Sequence, residues 1–335
     1  MIGRADRIPI SITGLGCHVP ERVVRNDDLA ELVDTSDEWI VARTGIRERR
    51  FAAEYEALSD IALPAARAAL EQAGVTARDL DLIIVATVTP DMMFPSTAAI
   101  LADQLGASEA GAFDLAAGCT GFVYAVAQAC GMIGAGLSRH ALVVGADVLS
   151  KLMNFADRST CVLFGDGAGA VVVEQVEEPG FLGFELGADG AGGVDLQLPA
   201  GGSRLPTTAE TVASGAHYVQ MNGRRVYKFA TRVLVSSAQD LLAECGLTVD
   251  DVDVYVPHQA NVRIIDHAVA KLGIPEDRVV VNVDRYGNTS SASIPLALAD
   301  ALAEGRVHQG DTVLMTGMGA GLTWGSALLR WTEDS

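Results

Sequence analysis

A cysteine, a histidine and an asparagine in this sequence have the types needed for nucleophilic catalysis through sulfur. Cys119 follows Gly118 after the apolar run 111–117 and precedes the small, apolar stretch Phe122 to Ile133. The pattern predicts a buried strand, a turn and a buried helix, with the thiol at the helix N-terminus. Backbone N–H groups and the helix dipole there favour negative charge, which lowers a thiol's pKa and supplies more of the nucleophilic thiolate. The position also suits a small buried hydrophobe, as most free cysteines are, so this stretch alone does not choose. His258 lies in Pro257-His258-Gln259-Ala260-Asn261, and Asn288 in Gly287-Asn288-Thr289-Ser290. Each, taken singly, reads as an ordinary loop residue.

The elements that must position these residues come from an internal repeat. Leu70 to Thr76, then Asp79 to Val85, reads as helix, glycine cap, turn and strand; Leu242 to Thr248, then Asp251 to Pro257, reads the same. Leu105-Gly106 matches Leu272-Gly273, and Ala141 to Gly145 matches Thr312 to Gly317. The run entering Gly118-Cys119 matches Val279 to Val283, which predicts a strand entering Gly287-Asn288. The chain therefore reads as a duplicated α/β protein, with halves 1–178 and 179–335 and mostly parallel sheets covered on both faces. Cys119 and Asn288 then fall at equivalent strand-to-helix turns, with His258 just past a second-half strand. If the halves pack about a pseudo-twofold axis, the turns converge and the three side chains meet.

Further signals are local. Ile8 to Gly14 predicts a first strand, Asn26 to Val33 a short helix, and Ser59 to Ala73 an amphipathic helix capped by Gly74. Gly14-Leu15-Gly16 opens like a dinucleotide fingerprint but lacks the third glycine, and reads as a turn. Gly165 to Gly169, inside a strand predicted over Cys161 to Val173, lacks the lysine and Ser/Thr of a P-loop and reads as tight packing or a bend. Gly187 to Ser214 reads as a long surface loop. Arg43, Arg47, Arg49 and Arg50 cluster near Trp39, an arrangement able to stack a nucleotide base and pair its phosphates. Arg224, Lys228 and Arg232 share one helix face, with Arg225 beside them.

Bulk properties narrow the classes. The chain has 335 residues, is 49% apolar, and carries a formal net charge of -19. So acidic a protein lacks the basic footprint of a nucleic-acid binder. The five cysteines are odd in number with no C-x-x-C pair, and the six histidines are scattered, so no structural metal is expected. Met1 to Gly14 has no signal-peptide core, and nowhere is an apolar run long enough to span a membrane. A soluble, cytoplasmic protein is expected.

On several motifs the chain resembles the β-ketoacyl-acyl carrier protein synthase III family, of the thiolase-fold condensing enzymes. They are Asp34 to Ile40 with Arg43-Thr44-Gly45-Ile46, Gly118-Cys119-Thr120-Gly121-Phe122, Phe164 to Gly169, Pro257 to Asn261, Gly287 to Ser290, and Gly317 to Gly325. They stand in the family's order over about Ile8 to Trp331. The resemblance implies a thiolase-like fold, a duplicated five-layer α-β-α-β-α sandwich, with Cys119 as nucleophile and His258 and Asn288 completing the triad. It implies that Trp39, Arg43 and Arg158 hold the adenine and phosphate end of coenzyme A, and that Gly223, Tyr227, Ala230 and Asn261 follow the pantetheine tunnel. Arg224, Arg225, Lys228 and Arg263 resemble a docking patch for the acidic acyl carrier protein. Phe94 matches a residue that closes the partner subunit's acyl pocket, which implies a homodimer.

The oxyanion hole implied by the resemblance uses the N–H groups of Cys119 and Ala320. The family commonly has three glycines where this chain has Gly319-Ala320-Gly321. Alanine keeps the N–H, but at a positive φ its Cβ would cost roughly 1 kcal/mol. The implied reaction joins an acyl-CoA primer, such as acetyl-CoA, to malonyl-acyl carrier protein through an acyl-cysteine, with loss of carbon dioxide. Acyl-CoA is a substrate, and neither metal nor redox cofactor is needed. The alternatives are an acyltransferase or ketosynthase of a secondary, polyketide-type pathway, a non-catalytic synthase subunit, and a nucleotide-dependent oxidoreductase resting on glycine runs alone.

Overall fold

The computed structural model describes residues 9–177 and 180–332. The first half runs β1 (Ile10–His18), β2 (Arg22–Arg25), α1 (Asn26–Ala30), α2 (Asp37–Thr44), β3 (Glu48–Phe51), α3 (Leu58–Ala73), β4 (Leu82–Ala86), α4 (Thr97–Leu105), β5 (Gly111–Leu115), α5 (Gly121–Gly134), β6 (His140–Asp147) and β7 (Gly167–Gln175). The second runs β8 (Phe181–Ala188), β9 (Leu196–Gln197), α6 (Ala209–Ala213), β10 (Gln220–Met221), α7 (Gly223–Cys245), β11 (Val254–Pro257), α8 (Val262–Leu272), α9 (Val283–Tyr286), α10 (Ser293–Ala303), β12 (Thr312–Gly319) and β13 (Thr323–Arg330). The division expected at 178/179 lies outside the described residues, as do residues 1–8 of the N-terminal stretch. Among the described residues, no helix is long and apolar enough to cross a membrane.

Alternation along the strands builds five layers. In β4, Leu82, Ile84 and Ala86 join one apolar cluster with α5 and α10, while Ile83 and Val85 join another with α3 and α4. In β12, Val313 and Met315 face the α5/α10 cluster, and Leu314 faces α7 and α8. The order is therefore α3/α4, sheet, α5/α10, sheet, α7/α8, a thiolase-like sandwich with two helices buried at its centre. The helices end where glycine accepts a left-handed φ: Gly74, Gly106, Gly246 and Gly273 cap α3, α4, α7 and α8.

The sheets are mixed rather than mostly parallel. The first has order β1-β7-β6-β4-β5, with β6, β4 and β5 parallel to one another and β7 antiparallel to both its neighbours. The second has order β11-β12-β13-β8, with only β11 and β12 parallel. A short turn joins β12 to β13, and such a connection leaves antiparallel pairing as the outcome.

Several local expectations change. β5 is an edge strand, half-exposed along its length, not a buried one. Gly14-Leu15-Gly16 is not a turn but part of β1, where a Cβ on Gly16 would lie 2.2 Å from the Ala65 carbonyl of α3. Cys161 to Leu163 form a turn and Phe164 an isolated bridge to Asn288, so β7 begins only at Gly167. Val279 to Asn282 form no strand; Val280 N–H donates to Tyr255 O, and the pairing stops at an isolated bridge. The segment 187–214 holds the end of β8, β9 and α6 as well as loop.

The turns that lead into α5 and α10 reveal the true register of the repeat. Gly118–Thr120 and Ser290–Ala292 each form one 3₁₀ turn leading directly into α5 and α10. Their first residues, Gly118 and Ser290, have φ of 56° and 53°. Cys119 therefore corresponds to Ser291, and Asn288 stands three residues earlier than the sequence match placed it.

Candidate active site

Cys119, His258 and Asn288 do meet. All three line one cavity of about 160 Å³, together with Phe164, Leu196, Met221, Gly223, Val226, Tyr227, Asn261 and Met318 among others. A second cavity of about 160 Å³, almost wholly apolar, also reaches Cys119; Val88, Leu149, Leu152, Leu198 and Val219 line it. Thus the sulfur sits where a tunnel ends and an apolar pocket begins. The tunnel reaches the surface at Gly223 and Tyr227, both exposed.

The thiol's position depends on backbone meeting backbone. A Cβ on Gly118 would lie 2.6 Å from Ala320 N, and one on Gly319 2.4 Å from Cys119 N. The turn carrying Cys119 and the loop after β12 therefore touch with no room for a side chain, bringing the Cys119 and Ala320 N–H groups to the same corner. Ala320 has no left-handed φ; among the described residues Ser290 is the one non-glycine residue that does. The alanine in the glycine-rich loop is carried without that strain.

His258 is buried at the end of β11 and is oriented from behind. Its Nδ1 lies 2.5 Å from Ser293 Oγ, and that hydroxyl accepts a hydrogen bond from Gln259 N–H at 3.4 Å. A hydroxyl that gives its own proton to Nδ1 leaves the imidazole proton on Nε2. Nε2 is buried without a protein partner and faces the cavity. Asn288 is fixed as firmly. Its N–H donates to Leu163 O at 2.9 Å, its C=O accepts from Gly165 N–H at 3.0 Å, and its Oδ1 accepts from Ser290 N–H at 2.9 Å. With Oδ1 occupied, Nδ2 is the end that faces substrate. The cavity therefore holds two neutral N–H donors near one sulfur.

Electrostatics reverse one expectation. Burial pushes the Cys119 thiol up to about 12, Asp147 adds to the rise, and the Ser290 hydroxyl and the local backbone pull against it. Desolvation outweighs the helix terminus, which acts through partial charges only. Burial alone lowers His258 to about 3. The unfolded chain therefore binds a proton at His258 between about pH 6.5 and 3 that the native chain does not. Stability from keeping His258 neutral is full above about pH 6.5 and is lost as pH falls toward 3. Asp166, raised by burial to about 6, acts in the opposite sense. We expect the melting-temperature gap between wild type and His258→Gln to narrow from pH 7 to pH 5. A gap independent of pH in thermal melts would show that native His258 takes up its proton as the unfolded chain does.

The nucleotide-type surface forms from a different set of arginines than the cluster suggested. Arg43 and Arg158 place their guanidinium carbons 4.3 and 4.7 Å from the Trp39 ring centroid. Asn261 Nδ2, on the tunnel wall, donates to Arg43 O at 2.9 Å, which puts this clamp at the tunnel mouth. Arg49 is fully buried, bonded to Asn26 Oδ1 and Val162 O at 2.7 Å each, and serves the fold. Arg50 pairs with Glu48 at 3.0 Å. Ala230 is not on the tunnel wall: it is fully buried in the apolar cluster behind it, with Val233, Ile264 and Ala268. Arg224, Arg225, Lys228 and Arg263 are exposed beside the mouth, with Arg225 held 3.3 Å from Asp195. Phe94 is 83% exposed. Among the described residues, no cluster of three or more His, Cys, Asp or Glu could hold a metal.

Sequence reasoning missed Ser290, Ser293 and Asp147. The buried Asp147 carboxylate accepts from Thr87 Oγ1, Val88 N–H and Thr89 Oγ1 at 2.8–3.0 Å and from Ser291 Oγ at 2.8 Å, tying the end of β4 to the turn before α10. A run of hydroxyl residues after Asn288 was the available signal.

Comparison with known proteins agrees with this geometry. The models of 3-oxoacyl-[acyl-carrier-protein (ACP)] synthase III and of its C-terminal region match residues 113–190 and 242–331. A β-ketoacyl-[acyl-carrier-protein] synthase III from Symbiobacterium thermophilum is 60% identical, covering 96% of this chain and 98% of its own. A crystal structure of a synthase III from Thermus thermophilus is 48% identical, covers 97% of this chain and 100% of its own, and has a TM-score of 0.90. The priming β-ketosynthase of a polyketide biosynthetic pathway is 40% identical over 99% of both chains, also with a TM-score of 0.90.

Proposed function

The chain belongs to the 3-oxoacyl-[acyl-carrier-protein] synthase III family, and from that premise we infer how its site carries out the family's reaction. The enzyme is an acyltransferase that condenses an acyl-CoA primer with malonyl-acyl carrier protein, the initiating step of fatty acid biosynthesis. The observation that carries the reading is the convergence of Cys119, His258 and Asn288 where a tunnel meets an apolar pocket.

The pantetheine arm of acyl-CoA enters along Tyr227 and Asn261, and its adenine end rests at Trp39, Arg43 and Arg158. Cys119 sulfur attacks the thioester carbon, and the N–H groups of Cys119 and Ala320 receive the oxyanion. The carbon–sulfur bond to coenzyme A breaks, and the thiol proton leaves with the departing sulfur. The acyl group then lies in the apolar pocket. Malonyl-acyl carrier protein docks against Arg224, Lys228 and Arg263, and its thioester oxygen faces His258 Nε2–H and Asn288 Nδ2–H. These donors stabilise the enolate as carbon dioxide leaves. The carbanion attacks the acyl carbon, releasing 3-oxoacyl-acyl carrier protein, and the Cys119 thiolate takes a proton from solvent. No metal or redox cofactor enters this scheme.

A homodimer fits the exposed Met93 and Phe94 and the unpaired edge of β5. A cytoplasmic setting fits the absence, among the described residues, of a membrane-crossing helix.

Peptide mass spectrometry after acetyl-CoA, then malonyl-acyl carrier protein, tests the scheme. An acetyl adduct on Cys119, followed by carbon dioxide and 3-oxoacyl product, is expected. An active enzyme that never releases carbon dioxide would sink it. The similarity to a polyketide-pathway ketosynthase supports a second reading, the same chemistry with a different primer, which a panel of acyl-CoAs resolves.

Trp39→Ala is expected to raise KM for acyl-CoA roughly tenfold with kcat nearly unchanged, because base–aromatic stacking is lost. Steady-state kinetics at saturating malonyl-acyl carrier protein check it.

A further inference from the structure

Ser290 is held in an arrangement that glycine would satisfy more easily. It is the one non-glycine residue with a left-handed φ among the described residues, at 53°. At the equivalent turn of the first half the same conformation, 56°, is taken by Gly118. The Ser290 side chain is also buried, and its Oγ has no protein hydrogen-bond partner. Its neighbours differ in this respect. Asn288 Oδ1 takes the Ser290 N–H, Ser291 Oγ lies 2.8 Å from both Ala86 O and the Asp147 carboxylate, and Ser293 Oγ serves His258. The chain therefore keeps both a strained backbone and an unsatisfied hydroxyl at a position where a hydrogen atom would remove both penalties. That hydroxyl lies on the wall of the apolar pocket beside Cys119.

We propose that Ser290 is a further catalytic residue, whose O–H donates a hydrogen bond to Cys119 Sγ as negative charge gathers on the sulfur. The proposal rests on the reading of Cys119 as the group that takes the acyl chain. In that step the Cys119 sulfur–carbonyl carbon bond forms, the carbonyl carbon–sulfur bond of coenzyme A breaks, and the cysteine proton ends on the coenzyme A sulfur. Ser290 keeps its own proton throughout.

The need for such a donor follows from the rest of the site. The sulfur is desolvated and faces the Asp147 charge, both of which oppose a thiolate. With Ser293 donating to Nδ1, His258 Nε2 carries the ring proton and has no lone pair there to receive another.

Ser290→Gly is the decisive variant, because a merely structural role predicts no loss from it. The reaction of Cys119 with iodoacetamide is followed against pH, beside thermal melts and acetyl-CoA loading. We expect Ser290→Gly to melt at or above the wild-type temperature. Its alkylation rate-against-pH profile is expected to move up by about one pH unit, a roughly tenfold slower reaction at any given pH, and its acetyl loading at neutral pH to slow about tenfold to a hundredfold. Ser290→Ala is expected to show the same alkylation shift with a melting temperature below that of Ser290→Gly, because the left-handed φ stays. Ser290→Gly with the wild-type alkylation profile would overturn the proposal, whatever its condensation rate. Should wild type never load acetyl from acetyl-CoA, the functional reading fails, and the alkylation profile still judges Ser290.

Discussion

Cys119→Ala is expected to abolish condensation, by roughly 10⁴-fold or more, while malonyl-acyl carrier protein still loses carbon dioxide. The side chain is small and its pocket apolar, so the substitution deletes one sulfur and leaves the fold in place. Nothing remains to carry the acyl group between the two substrates, and the first half-reaction has no acceptor. The decarboxylation site is separate: His258 Nε2 and Asn288 Nδ2 keep their orientation through Ser293 and Ser290, neither of which depends on the sulfur. The check has two readouts, the mass of the Cys119-region peptide after acetyl-CoA and the release of carbon dioxide from labelled malonyl-acyl carrier protein. Condensation surviving in Cys119→Ala would require a different acyl carrier. Loss of both readouts in a folded variant would mean that the sulfur organises the decarboxylation site as well.

The converse separation is expected at the two donors. His258→Ala and Asn288→Asp are each expected to slow decarboxylation about 10²–10³-fold, the usual effect of removing one oxyanion donor. Acetyl loading of Cys119 is expected to stay within about tenfold of wild type, since its oxyanion faces backbone N–H groups. Asn288→Asp is the sharper test. Aspartate can still accept the Ser290 N–H that now reaches Asn288 Oδ1 at 2.9 Å, so the turn keeps its shape. What changes is the other end, where a donor becomes an acceptor with charge. Single-turnover acylation and malonyl decarboxylation measured side by side decide the matter. Equal losses in both steps would place His258 or Asn288 in thioester activation generally and remove the division of labour.

The architecture was legible because each half repeats its helix-cap-strand unit with glycine at the cap. Gly74 and Gly246 end α3 and α7 with the same left-handed φ. The near-continuous apolar runs of β4 and β12 likewise predict strands covered on both faces. What was not legible was the register between halves. Matching Gly118-Cys119 to Gly287-Asn288 follows letters, whereas the backbone matches Gly118 to Ser290, a serine in a conformation that glycine ordinarily marks. The β5 counterpart also disappears from sequence reasoning, because Val279 to Val283 looks like a strand but pairs only through Tyr255.

The site shows a similar boundary. Cys119, His258 and Asn288 were findable from residue type and motif, although the repeat match that paired Asn288 with Cys119 was three residues out of register; their environment was not. A helix N-terminus can be read along a chain; complete desolvation cannot, and it reverses the direction in which the thiol shifts. Arg49 and Arg43 look alike in sequence, yet one is bonded inside the fold and the other stacks on Trp39. Arg158, the other half of that clamp, comes from beyond β6, where no spacing connects it to Trp39.

The tunnel and the apolar pocket share Cys119, Phe164 and Leu196 on their walls. That junction makes the sulfur a single-berth dock. Two different carriers must use it in turn, and each blocks the other while moored. Spent coenzyme A has to clear the channel before the second carrier can enter, so leftover cargo from the first half-cycle delays the second. Too much of either carrier should therefore slow turnover. The supply ratio of primer to extender becomes a throttle written into the shape of the approach, acting without a separate effector site.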